Sequence, residues 1–130
     1  MSEQNVEVAR RAFAAFNAGD VESLVEASHP DCEWLPFRAQ LEGETYRGHD
    51  GVRRFFNDMQ DDWREFQIEV VELREVGGRV VLVGHIEGLG RGSGVAVSSD
   101  AGFVMDFRDG RIVRVVSYSD PEQARREAGA

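Results

Sequence analysis

Residues 101–118, AGFVMDFRDGRIVRVVSY, read as two strands joined by a tight turn at Asp109-Gly110. Successive strand side chains point to opposite faces, so Ala101, Phe103, Met105 and Phe107 share one face, while Gly102, Val104, Asp106 and Arg108 share the other. One face is apolar and the other largely is not. A lone hairpin is marginal in water, so this one requires more strands beside it and a cover over its apolar face.

The strands lie immediately upstream. Phe66 to Glu75, Arg79 to about Leu89 and Val95 to Phe107 are strand-like, with Gly77-Gly78 suited to a two-residue hairpin turn, and Arg111 to Tyr118 closes the set. The cover comes from the first half of the chain. From Gln4 to Ala18 the apolar residues Val6, Ala9, Phe13 and Phe16 recur every three or four positions, which predicts an amphipathic helix ended by Gly19. Asp20 then suits the N-cap of a shorter helix, Val21 to Ala27, which His29-Pro30-Asp31 stops. Cys32 to Phe37 reads as a short strand held to a sheet edge or strand end by Pro36. Gln40 to Gly48 reads as a polar loop, and Val52, Phe55, Phe56 and Met59 form the stripe of a third helix reaching about Trp63. The tail, Asp120 to Ala128, opens on Asp-Pro and reads as a short polar helix. Helices followed by a meander make an α+β pattern in one domain spanning 1–130.

Charge narrows the partners. Fifteen Lys and Arg against 24 Asp and Glu give a net charge of −9, the wrong sign for a phosphate backbone or an anionic membrane surface. No apolar run approaches the roughly 20 residues that span a bilayer, and the acidic N-terminus lacks the apolar core of a signal peptide, so a cytoplasmic location is expected. The single cysteine, Cys32, allows neither an internal disulfide nor a Cys-rich zinc site, and reads as a small buried residue. The glycine-rich run 88–94 lacks the following helix and the Lys-Ser or Lys-Thr pair of a phosphate loop, and reads as a bulged strand connection.

Four segments carry a family resemblance: Ala14-Ala15-Phe16-Asn17-Ala18-Gly19-Asp20, His29-Pro30-Asp31-Cys32-Glu33-Trp34, Tyr46-Arg47-Gly48 and Asp109-Gly110-Arg111-Ile112-Val113. In order and spacing they resemble the SnoaL-like branch of the NTF2-like superfamily. The resemblance implies a cone-shaped α+β barrel, N-terminal helices packed on a strongly curved mixed sheet, a pocket between them and frequent homodimers through the outer sheet face. It does not imply one reaction. Ketosteroid isomerases need a carboxylate base with a tyrosine and a protonated aspartate on the oxyanion. Registered on that pattern, this chain has Ala12 at the tyrosine, Pro36 at the base, Phe103 at the aspartate and Phe56 at a supporting tyrosine, so the chemistry is excluded at those positions. The acid position of the polyketide cyclases falls on Ser117. The aspartate–arginine–aspartate trio of limonene epoxide hydrolases has no counterpart on the apolar sheet face formed by Val80, Leu82, Ile86, Val95, Val97, Phe103, Met105 and Phe107.

What remains is a greasy pocket with few polar candidates. Trp34, Phe16, Tyr46, Phe56, Trp63, Phe103, Met105 and Ser117 are the expected liners, with the Trp34 indole N–H as the group that would orient a ligand. His85 is the best single catalytic candidate, although strand parity turns it outward unless its strand is bulged. Asp106, Arg108 and Arg114 read as cross-strand charges on the outer face. His29 and His49 read as turn and cap residues, and no metal or cofactor is expected. Two functions stay open: a binder of a small, largely apolar molecule, with or without cofactor-free isomerase, cyclase or hydratase/hydrolase-type chemistry, and a noncatalytic dimeric scaffold or interaction protein with a filled pocket.

Overall fold

The hairpin of residues 101–118 sits near the middle of a six-stranded sheet. In the computed structural model, which describes residues 2–129, the strands are β1 (Ser28–Leu35), β2 (Tyr46–Arg47), β3 (Trp63–Val76), β4 (Arg79–Gly90), β5 (Ala96–Arg108) and β6 (Arg111–Tyr118). Met1 and Ala130, the two ends of the expected domain, lie outside the described residues. The sheet order is β2-β1-β6-β5-β4-β3. β1 and β6 run parallel and every other pair is antiparallel, so the sheet is mixed. Both two-residue turns form as their sequences require, with positive φ at Gly77 (58°), Gly78 (86°), Asp109 (54°) and Gly110 (75°).

Four helices precede or interrupt these strands and a fifth follows: α1 (Ser2–Ala18), α2 (Val21–Glu26), α3 (Phe37–Glu42), α4 (Gly48–Asp62) and α5 (Pro121–Ala128). Asp20 caps α2, its carboxylate accepting from the backbone N–H of Ser23 at 3.2 Å and from the Ser23 hydroxyl at 2.6 Å, which holds its pKa below the usual carboxylate value. The inner sheet face buries Val80, Leu82, Ile86, Phe103, Met105, Ile112 and Val115 against Ala9, Ala12 and Phe13 of α1 and Val52, Phe55 and Phe56 of α4. α1 is also clamped to the sheet edge. The Asn17 side chain donates to the Ile68 carbonyl at 2.8 Å and accepts from its N–H at 2.9 Å, taking the place of a neighbouring strand.

Three expectations are corrected. The segment Gln40 to Gly48 is not a plain loop: it contains the end of α3, closed by Gly43 at φ 69°, and the short strand β2. β1 begins at Ser28, before Pro30, and this is tolerated because the β1–β6 register breaks between Ser28 and Glu33, where no ladder N–H is needed from a proline. Val95 is not part of the buried face; it precedes β5 at the far end of the β4–β5 arm and is 58% exposed.

The outer sheet face is not uniformly polar either. Val81 and Val104 are buried beneath Ala124 and Ala128 of α5. Glycine at 102 makes that docking possible, since a Cβ there would overlap the Cβ of Ala124 and come within 3.3 Å of Pro121 Cα. Two ion pairs lock the helix margin, Arg125 to Glu72 and Arg79 to Asp106 at 2.8 Å each, and Arg79 also donates to the Glu127 backbone carbonyl at 2.8 Å. Asp106, which faces Arg114 in register, therefore closes on Arg79 instead.

Candidate ligand pocket

Between the helices and the inner sheet face lies a cavity of about 170 Å³. Its walls follow from local packing. Trp34 on β1 is the cross-strand partner of Tyr46 on β2, so the two side chains stand side by side on one face. Gly51 brings the first turn of α4 onto β2, because a Cβ there would meet the Tyr46 carbonyl carbon at 2.8 Å. α4 then presents Phe55, Asp58 and Met59 at helical spacing, while α1 adds Ala12, Phe13 and Phe16. The sheet supplies Ile68, Ile86, Phe103, Val115 and Ser117, and Trp63 and Phe66 close one side. The rings interlock: Phe55 lies 5.6 Å from Trp34 and 5.4 Å from Tyr46, and Phe66 lies 5.9 Å from Phe16 and 5.2 Å from Trp63, centroid to centroid.

Polar groups are few and close to one end. The Tyr46 hydroxyl donates to Asp58 Oδ2 at 2.6 Å. Among the described residues Asp58 and Tyr46 are the only ionisable side chains lining the cavity, and no cation is paired with Asp58. Arg54, one turn earlier on α4, instead lies over the Tyr46 ring with its guanidinium carbon 4.8 Å from the centroid. The Trp34 indole N–H is buried and reaches no hydrogen-bond acceptor, although it leans toward the Cys32 thiol two residues earlier on the strand. Burial pushes that thiol's pKa up. Gln40 of α3 ties the pocket floor together, donating to the carbonyls of Leu35 at 2.7 Å and Ser117 at 2.8 Å.

Six of the eight expected liners, Phe16, Trp34, Tyr46, Trp63, Phe103 and Ser117, come together around this cavity. Two do not. Met105 is wholly buried in the core, and Phe56 turns one helical step away to line a separate open groove of about 660 Å³, which shares Phe16, Met59, Trp63 and Phe66 with the cavity as a common wall. His85 is not at the cavity. The β4 ladder runs without a bulge against β5, so parity holds and His85 stands on the outer face, its Nδ1 3.0 Å from Asp100 and its Nε2 3.0 Å from the Ser98 hydroxyl and 3.2 Å from Glu87. These carboxylates, Asp100 first, raise its pKa. Ala12, Pro36 and Phe103, which occupy the catalytic positions of the isomerase pattern, do line the cavity and contribute only apolar surface. Asp58 escaped the sequence reading, and its one signal was its position three residues after Phe55 on the apolar stripe. His29 accepts the Asp31 N–H at 3.0 Å and closes a local turn, whereas His49 donates to the Ser28 carbonyl at 2.8 Å and ties the first turn of α4 to the start of β1. Among the described residues no group of three or more His, Cys, Asp or Glu is placed to hold a metal.

This architecture is that of the NTF2-like fold, a cone of helices on a curved mixed sheet with its pocket between the layers. The SnoaL-like domain model matches residues 9–115, and the chain belongs to that family. Its solved structural neighbours include an NTF2-like protein of unknown function from Burkholderia pseudomallei, with a TM-score of 0.81 and 26% identity over 100% of both chains. TerC, co-crystallised with polyporic acid, matches with a TM-score of 0.79 and 25% identity over 98% of this chain and 99% of TerC. A protein of ketosteroid isomerase-like fold from Catenulispora acidiphila, in complex with trimethylamine, matches with a TM-score of 0.78 over 95% of this chain and 92% of its own; at 13% identity it speaks for the fold alone. No curated protein matches the chain.

Proposed function

We propose that the cone pocket binds a small, largely apolar molecule of about one ring. The observation that carries this reading is the convergence of the Tyr46–Asp58 pair on a cavity otherwise walled by aromatic and aliphatic side chains. Size follows from volume: an apolar cavity of about 150 Å³ takes a benzene-sized guest, so one of 170 Å³ takes little more without movement of its walls. Any cofactor-free proton transfer on that guest would run through Asp58, the one carboxylate at the cavity among the described residues, with Tyr46 fixing its orientation. The ligands of two structural neighbours, an acid and an amine, do not choose a charge for this one.

Both tryptophans of the chain line this cavity, so intrinsic fluorescence reports its occupancy directly. Titration with cyclohexanone, benzyl alcohol and larger fused-ring probes is expected to give saturable changes for the single rings only. Absence of any saturable response would remove the reading and favour the second one, a dimeric scaffold. That second reading is supported by the outer face beyond α5, where His85 and its acidic neighbours stay accessible, and by the edge strand β3, whose Val71 at the bulge after Val70 is 65% exposed. Analytical ultracentrifugation tests the homodimer, which is compatible with either function.

A further inference from the structure

The ligand reading leaves open what kind of apolar molecule the pocket prefers, and the carboxylate at its wall speaks to that. Asp58 is half-buried at the cavity wall, receives one hydrogen bond, from Tyr46, and forms no ion pair among the described residues. Carboxylates in such surroundings are ordinarily matched by a cation, because desolvation without a partner disfavours the charge. Arg54, one turn earlier on the same helix, is exposed and committed to the ring of Tyr46. The rest of the wall is aromatic, and ring faces carry negative potential that attracts cations and not anions. A net charge of −9 adds a field of the same sign. An anionic ligand would meet repulsion from Asp58, and a neutral one would forgo the attraction that the carboxylate and the ring faces offer a cation.

We propose that the cavity selects a small organic cation, an ammonium bearing apolar substituents, with its charge on Asp58 and its alkyl groups against Trp34, Tyr46, Phe55 and Trp63. This rests on the ligand-binding reading above and adds a charge preference to it. Choline and its neutral isostere 3,3-dimethylbutan-1-ol separate the two, since they differ only in nitrogen for carbon. Fluorescence titration at physiological salt is expected to show choline bound about tenfold more tightly, the effect of one partly desolvated cationic contact. In Asp58→Asn, whose amide oxygen still accepts from Tyr46, most of that preference is expected to be lost, leaving the small part that the ring faces contribute, while the neutral probe binds as before. Asp61→Asn, an exposed neighbour on the same helix, is expected to keep it.

Equal binding of the two probes by the native protein overturns the charge preference and leaves the pocket reading standing. An equal loss in Asp61→Asn and Asp58→Asn also overturns it, since the preference would then come from the overall field. Failure of both probes, together with the single-ring probes, overturns both proposals.

Discussion

The hydroxyl of Tyr46 and the carboxylate of Asp58 meet at 2.6 Å, joining the short edge strand β2 to the C-terminal half of α4 at the cavity wall. A hydrogen bond to a charged acceptor contributes about 1.5–3 kcal/mol when well buried, and Asp58 is only half-buried, so the lower end applies. Tyr46→Phe is expected to lower unfolding stability by about 1–2 kcal/mol in urea denaturation. No loss at all would mean that the pair does not persist in solution.

Trp34 and Phe55 make a contrasting pair of tests. The Trp34 N–H is buried without a hydrogen-bond acceptor, which itself costs about 1–3 kcal/mol. Trp34→Phe removes that cost while giving up some packing, so stability is expected to change by no more than about 1 kcal/mol. Phe55 touches the rings of Phe16, Trp34 and Tyr46, and Phe55→Ala is expected to cost about 3–5 kcal/mol. Comparable losses for the two would show that the indole N–H has found a partner, such as a water.

Gly88 provides the seat of Trp63, for a Cβ there would approach the indole ring to 2.9 Å. Gly88→Ala is expected to push Trp63 off its place in the cavity wall, shift its fluorescence and weaken single-ring probes, at a cost of about 1–2 kcal/mol in stability. Unchanged emission and binding would place the Trp63 ring elsewhere.

At the other side of the sheet, Gly102→Ala puts a methyl group into Ala124 and Pro121 of α5. Overpacking of this kind costs about 1–3 kcal/mol. Faster hydrogen exchange in residues 121–128, with the cavity's fluorescence response preserved, is the expected signature. Protection equal to the native protein's would mean that α5 shifts without losing its contacts.

His85 predicts a pH dependence of stability. It faces Asp100 on β5 and Glu87 on its own strand, with Glu69 opposite on β3, and the bond to Asp100 leads in raising its folded pKa. A raised folded pKa gives stability that is full below the unfolded imidazole value near 6.5 and is lost as pH climbs through the higher folded one. The stability difference between the native protein and His85→Gln is therefore expected to be largest on the acid side and to fade under mildly alkaline conditions. A pH-independent difference would show that His85 acts there through packing alone.

Periodicity and turn chemistry alone determined most of the architecture. The 101–118 hairpin, the Gly77-Gly78 turn, the helical stripes and the Asp20 cap are each set by residues within a few positions of one another, and such local preferences survive into the fold. Strand parity also placed His85 outward, because the β4–β5 ladder carries no bulge. The tertiary structure decided what depends on pairing between distant segments. β2 is a strand only because Tyr46 and Arg47 find β1, and nothing within Gln40 to Gly48 announces that partner. α5 looked merely polar until Gly102 allowed Ala124 and Ala128 onto Val81 and Val104. Asp58 is an ordinary acidic residue on a helix until that helix meets Tyr46, because a side chain's place at a cavity is fixed by the angle between packed elements, which no single segment encodes.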